Sequence, residues 1–280
     1  MFSFNYKKCV DIWNIEWDEI CNRLEKNEEN LPKFEDLIKD AVFSHVIAQI
    51  MEYSKLFTVY PQDISKLFRG VCENDPSKIC VERFIPQKEY INPEKPCRMN
   101  GTDRLYNYFT IDYLDCTGKD LILTSAHELR LQPSDSFWGA FFTIPAELGE
   151  MRIIDLRTRA KIPTDDKQFQ RFLKLKATHG IRFGKVDQQE VEYWIIQAVF
   201  SIWEKSRMFA PVDKTNPETL WHQYRPFHVL CDFFQRNGFG GIIYRSTVYR
   251  KGICLCLFDV STAICDEQTI TQYRNFGGRH

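Results

Sequence analysis

The sequence predicts an α+β protein, a small helical region followed by a body of mixed or antiparallel sheet with packed helices. Three observations lead there. Apolar residues recur at helical spacing over 33–55 and again over 188–206. Short apolar and aromatic runs separated by turn residues fill 105–155. A glycine-rich entry then leads into two more apolar runs, GGIIYRS and ICLCLFDV, joined through RKG.

Residues 14–26 and 33–55 read as helices. In the second, Phe34, Leu37, Ile38, Ala41, Val42, Val46, Ile47, Ile50 and Met51 form one face, and Pro32 suits its first turn. The run 56–65 breaks that pattern at Pro61, which sets the expected division: a helical domain over 1–60 and a second domain over 61–280. Residues 74–101 hold Pro76, Pro86, Pro93 and Pro96 and read as extended or looped chain. RLYNYFTIDYL, DLILTS, FWGAFFTI and MRIIDL read as strands. Residues 188–206 give the strongest helix, with Val191, Trp194, Ile195, Ala198, Val199, Ile202 and Trp203 as a core stripe. A helix over 225–237 follows, with Pro226 in its first turn and Gly238 as its stop.

Composition narrows the function. At 280 residues, 44% hydrophobic and 27% charged, the chain can bury a real core and is not a disordered segment. Lys and Arg number 37 against 38 Asp and Glu, so the basic excess of a duplex-binding domain is missing and nucleic acid is not an expected partner. Residues 1–60 hold 11 acids and 7 bases, so the acidic balance lies in the helical front. Residues 150–185 hold ten bases and four acids, read as a solvated face rather than a phosphate-binding surface. No run suits a signal peptide or a membrane helix, so a cytoplasmic protein with no membrane partner is expected. Ten cysteines are too sparse for a disulfide scaffold and fit a reducing compartment. Cys254 and Cys256 share one strand face, but a metal would need two more ligands, so buried thiols and no metal are expected.

Several motifs fail. His127-Glu128 begins like a zincin helix, but Leu131 stands where the second His belongs. There is no Walker loop, the NGFGG glycines lack dinucleotide-fingerprint spacing, and no G-x-S-x-G elbow occurs. The helical front holds no R-x-x-x-x-H and does not read as a ribonuclease.

Three separated pieces make sense together: CRMNGTDRLYNYFTID (97–112), SAHELR (125–130) and YRPFHVLCDFFQRNGFGGIIYRSTVYRKGICLCLFD (224–259). Over roughly residues 62–275 the chain resembles the RES-domain family, named for a separated Arg, Glu and Ser. Arg98, Glu128 and Ser246 fall on those positions, and Tyr106 falls on the family's strand tyrosine, with Tyr108 as the alternative. The C-terminal piece carries most of the likeness. The chain departs from the pattern in a shorter Arg98–Tyr106 loop, a longer Tyr106–Glu128 connection, and Pro226-Phe227-His228 in place of polar residues. The helical front is similar to extensions found on longer family members.

The resemblance implies an ADP-ribosyltransferase-like fold and NAD+ as substrate. It also implies a toxin or defence role with an antitoxin or immunity partner. Cleavage of the nicotinamide–ribose bond passes through an oxocarbenium-like centre, and a carboxylate can stabilise that charge and hold the ribose hydroxyls. Glu128 is the candidate for this work. Arg98 would grip the pyrophosphate with its planar fork, and Arg69 would be a second anion contact. Tyr106 would stack on nicotinamide or touch ribose. Ser246 would hold the nicotinamide amide or a phosphate, and it is not read as a nucleophile because no His-Asp pair stands beside it. Water, phosphate and a protein all remain open as acceptors, and the front could inhibit, recruit a target or form a homodimer. The competing readings are a mono-ADP-ribosyltransferase and a catalytically silent nucleotide- or antitoxin-binding module. Taken singly, each residue also has an ordinary reading: helix-end glutamate, surface ion pair, core tyrosine, turn serine.

Overall fold

The computed structural model describes residues 5–25, 33–39, 41–87, 105–114, 116–179, 188–210 and 217–275. In chain order its elements are α1 (Tyr6–Glu25), α2 (Phe34–Leu37), α3 (Val42–Glu52), β1 (Thr58–Val59), β2 (Lys66–Val71), β3 (Asn107–Asp112), α4 (Gly118–Glu128), β4 (Ser136–Thr143) and β5 (Ile153–Asp155). There follow α5 (Asp166–His179), α6 (Gln188–Lys205), α7 (Pro217–Arg236), β6 (Gly241–Arg245), β7 (Ile253–Leu257), β8 (Ile264–Cys265) and β9 (Thr271–Arg274). The architecture is α+β. None of the described helices is long and apolar enough to cross a membrane.

Two compact units divide the chain: residues 1–58 with 156–212, and residues 59–155 with 213–280. A helical domain confined to 1–60 is therefore incomplete, and 61–280 is not one unit. The reason lies in the aromatic core of the helical unit. Trp203 of α6 stacks on Phe43 of α3 at 5.4 Å and meets Trp13 of α1 edge-on at 5.6 Å. Trp13 also meets Phe43 at 4.8 Å. The apolar face of the front is thus covered by a helix about 150 residues downstream of it.

Within this unit the predicted helix 33–55 is two helices, α2 ending at Leu37 and α3 starting at Val42. Glu16 of α1 explains the restart: its two carboxylate oxygens accept the Val42 and Phe43 N–H groups at 3.0 Å each. Those are first-turn donors left orphaned by a new helix, and Ala41 offers no side-chain cap. Val42, expected in the core, is 52% exposed. In α6, Ala198, Ile202 and Trp203 of the expected stripe are buried, whereas Glu192, Ile196 and Phe200 are buried in place of Val191, Ile195 and Val199, and Ile195 faces out.

The second unit is built on a mixed sheet ordered β1-β5-β6-β7-β3-β2-β4-β8, with β9 on β4. Registers Leu67↔Ile111, Leu67↔Phe142, Phe109↔Leu255 and Ile243↔Leu255 gather one apolar face. The alternate residues Phe68, Thr110, Cys254 and Tyr244 line the other face. There α4 packs, with Leu121 and Ala126 against Phe68 and Phe137. Thr110 Oγ1 donates to the Leu121 carbonyl at 3.1 Å.

DLILTS, expected as a strand, lies in α4. A capping box overrides its β-like run: Asp120 accepts from Thr117 N at 3.3 Å and Thr117 Oγ1 at 2.8 Å. The helix expected at 225–237 begins earlier, at Pro217, so Pro226 lies inside α7 rather than in its first turn. Gly238 does stop it. Gly238 has φ +79°, and Phe239 N–H reaches back to the Phe234 carbonyl at 3.1 Å, a Schellman closure. Gly238→Ala is expected to lower stability by about 1 kcal/mol through left-handed strain, read as a shift in the denaturant midpoint.

Candidate active site

Two residues 118 apart in sequence meet on the α4 face of the sheet. Ser246 Oγ donates to Glu128 Oε1 at 2.6 Å. Glu128 is half-buried at the last turn of α4, and Ser246 is buried just past β6. Their meeting follows from the strands. Ser246 N–H bonds the Gly252 carbonyl at 2.9 Å, closing the β6–β7 connection beside the C-terminal end of the helix. Cys254, two residues further on, aims its thiol at the same oxygen, Glu128 Oε1, at 3.7 Å. Burial, and then the Glu128 charge, push the Cys254 thiol well above its ordinary range, so it stays protonated and donates. None of the hydrogen bonds among the described residues engages Glu128 Oε2.

The serine hydroxyl has a defined direction. Its lone pairs accept the Tyr249 N–H at 3.1 Å and the Val248 N–H at 3.3 Å, which leaves the proton for Glu128. That geometry suits a group that orients a carboxylate. Behind the pair, Tyr249 OH donates to Asp120 Oδ1 at 2.9 Å, and the Tyr249 ring stacks on His127 at 5.1 Å and 13°. Burial and the Asp120 carboxylate raise the Tyr249 phenol to about 12. Burial opposes ionisation of Asp120, but the Thr117 and Tyr249 hydrogen bonds outweigh it, and its carboxyl is held below the ordinary range.

The other candidates lie elsewhere or outside view. Arg98 falls outside the described residues. Tyr106 is 2% exposed and packs on Phe258 at 5.1 Å; with Asp232, Gln235 and Arg236 it borders a cavity of about 560 Å3. Phe258 stands six residues along the chain from Gly252, roughly 20 Å in an extended strand, so Tyr106 does not join Glu128 and Ser246. Tyr108 is the better placed tyrosine. It is half-buried, pairs with Cys256, and shares the face that carries Cys254. Arg69 is not brought to the pair either. It pairs with Ala140 on the apolar face, opposite α4, and its guanidinium bonds the Asn107 side-chain oxygen and, at 3.4 Å, the Tyr108 carbonyl.

Sequence reasoning missed Asp120, Tyr249 and the thiol contact of Cys254. The C-x-C spacing did place Cys254 and Cys256 on one face, and both are buried. Among the described residues no group of three or more His, Cys, Asp or Glu side chains could hold a metal, and none of the nine described cysteines is in a disulfide.

The fold and the pair define an α+β protein with an oriented carboxylate on one sheet face. No protein-family model, curated protein or solved structure matches the chain.

Proposed function

We propose that this chain is a RES-like, NAD+-consuming enzyme that cleaves the nicotinamide–ribose bond with Glu128 as its catalytic carboxylate. The observation that carries the reading is the Glu128–Ser246 contact. The two residues that the resemblance singles out at distant positions meet at 2.6 Å, with the carboxylate held through one oxygen and its other oxygen unengaged by those donors.

The chemistry follows from that arrangement. In the substrate the nicotinamide ring is cationic. As the C1′–N bond breaks, its electron pair goes to the ring nitrogen, nicotinamide leaves neutral, and positive charge spreads over C1′ and the ring oxygen of the ribose. A fixed carboxylate near that centre stabilises the charge without reorganising, and Oε2 of Glu128 is the oxygen available for it. Water then bonds to C1′ and releases one proton, giving ADP-ribose, or phosphate takes the same place. Ser246 and Cys254 keep the carboxylate aimed. Arg98 would neutralise the pyrophosphate, and Tyr108 rather than Tyr106 would face the reacting end. No metal has a role in this scheme. The sheet crossed on one face by α4 supports an ADP-ribosyltransferase-like assignment, and an antitoxin or immunity protein and a second copy of the chain are the partners this reading brings with it.

The experiment is a time course of the purified chain with NAD+, following free nicotinamide by chromatography with and without phosphate. Nicotinamide together with ADP-ribose, or with its phosphate ester, is expected. Label from NAD+ appearing on a protein instead makes it a mono-ADP-ribosyltransferase. NAD+ binding with neither product leaves a silent module and overturns the reading.

A further inference from the structure

The hydroxyl of Ser246 reaches Glu128 because two backbone N–H groups occupy its lone pairs, and both belong to the connection 247–251. What fixes that connection is one polar face of α4. Asp120, Thr124 and His127 stand on successive turns, and Glu128 ends the same face. Asp120 Oδ1 accepts the Tyr249 hydroxyl at 2.9 Å. His127 stacks on the ring of Tyr249, a buried residue. Tyr249 in turn accepts the Gly252 N–H on its carbonyl at 2.8 Å. Gly252 lies so close to the helix that a Cβ there would fall 2.5 Å from Thr124 Cγ2. The Tyr249 side chain and backbone therefore tie the helix that carries Glu128 to the segment that carries Ser246.

We propose that Tyr249, anchored by Asp120, is a positioning residue that sets the direction of the Ser246 hydroxyl and through it the orientation of Glu128. This rests on the reading of Glu128 as the catalytic carboxylate. Without the Asp120 anchor the Tyr249 N–H leaves Ser246 Oγ, the hydroxyl proton is no longer directed at Oε1, and the carboxylate turns away from the reacting centre. The substrate contacts assigned to Arg98 and Tyr108 do not pass through this chain of bonds, so the loss falls on kcat.

Tyr249→Phe tests this, since it removes the hydroxyl and keeps the ring on His127. Asp120→Asn, which removes the charge and keeps one amide oxygen to accept from Tyr249 while its NH2 group faces Thr117, gives a graded second point. Loss of one buried hydrogen bond to a charged partner predicts a kcat roughly tenfold lower in Tyr249→Phe, a smaller fall in Asp120→Asn, and KM within about twofold in both. A merely structural role would instead lower the thermal midpoint and leave kcat per folded molecule unchanged, and that result overturns the proposal. Amide hydrogen exchange at Val248 and Tyr249 is read on the same samples and does not depend on turnover. It should be roughly tenfold faster in Tyr249→Phe. Unchanged exchange overturns the anchoring role whatever NAD+ does, whereas a wild type that leaves NAD+ intact while Tyr249→Phe speeds exchange overturns only the proposed function.

Discussion

Glu128→Gln is expected to lower NAD+ cleavage by at least roughly 10²–10³-fold while leaving the thermal midpoint nearly unchanged. The substitution keeps the shape of the side chain. A glutamine Oε1 can still accept from the Ser246 hydroxyl at the 2.6 Å contact and from the Cys254 thiol. What disappears is the negative charge facing the developing cation. Glu128 is half-buried at a helix end, so neutralising it leaves no stranded charge in the core. Kinetics and thermal unfolding on the same preparation check both halves. A variant that is inactive because it is unfolded would not count as agreement.

The largest stability effect is expected at Trp203. It is 0% exposed and lies at the centre of the helical unit, stacked on Phe43 and edge-on to Trp13. Trp203→Ala should destabilise that unit by about 3–5 kcal/mol, the usual range for deleting a buried aromatic. Denaturant unfolding followed by near-ultraviolet circular dichroism measures it. A loss below about 1 kcal/mol would mean that α6 is not the core of this unit.

The fold class and most elements could be read from hydrophobic period and turn residues. Gly238 marked the end of α7, the strands of 241–245 and 253–257 lie within the runs that predicted them, and the strand of 136–143 starts one residue before its run. The misreadings have physical causes. The apolar run in DLILTS resembles a strand, and only the T-x-x-D spacing of Thr117 and Asp120 signals the cap that makes it α4. The break before α3 depends on Glu16, a residue of another helix. Sequence also gave no sign that residues 156–212 complete the helical front. Trp203 and Trp13 are neighbours only through tertiary packing, which local periodicity cannot register.

The candidate site was legible in its principal residues and hidden in its supports. Glu128 and Ser246 came from a resemblance carried by separated pieces, and they meet. Arg69 was an anion contact by position along the chain, but strand alternation turns it to the opposite face of the sheet. Tyr106 and Tyr108 share a face by parity, so only burial and strand pairing separate them. Asp120 and Tyr249, 129 residues apart, have no local signal at all.

The central claim is that the carboxylate oriented by Ser246 cleaves NAD+. The most direct measurement is the rate of nicotinamide release by wild type and Glu128→Gln side by side, under identical NAD+ and with folded state verified for each. Steady release by wild type that falls to background in the variant is the predicted result. Equal release by both proteins would contradict the account.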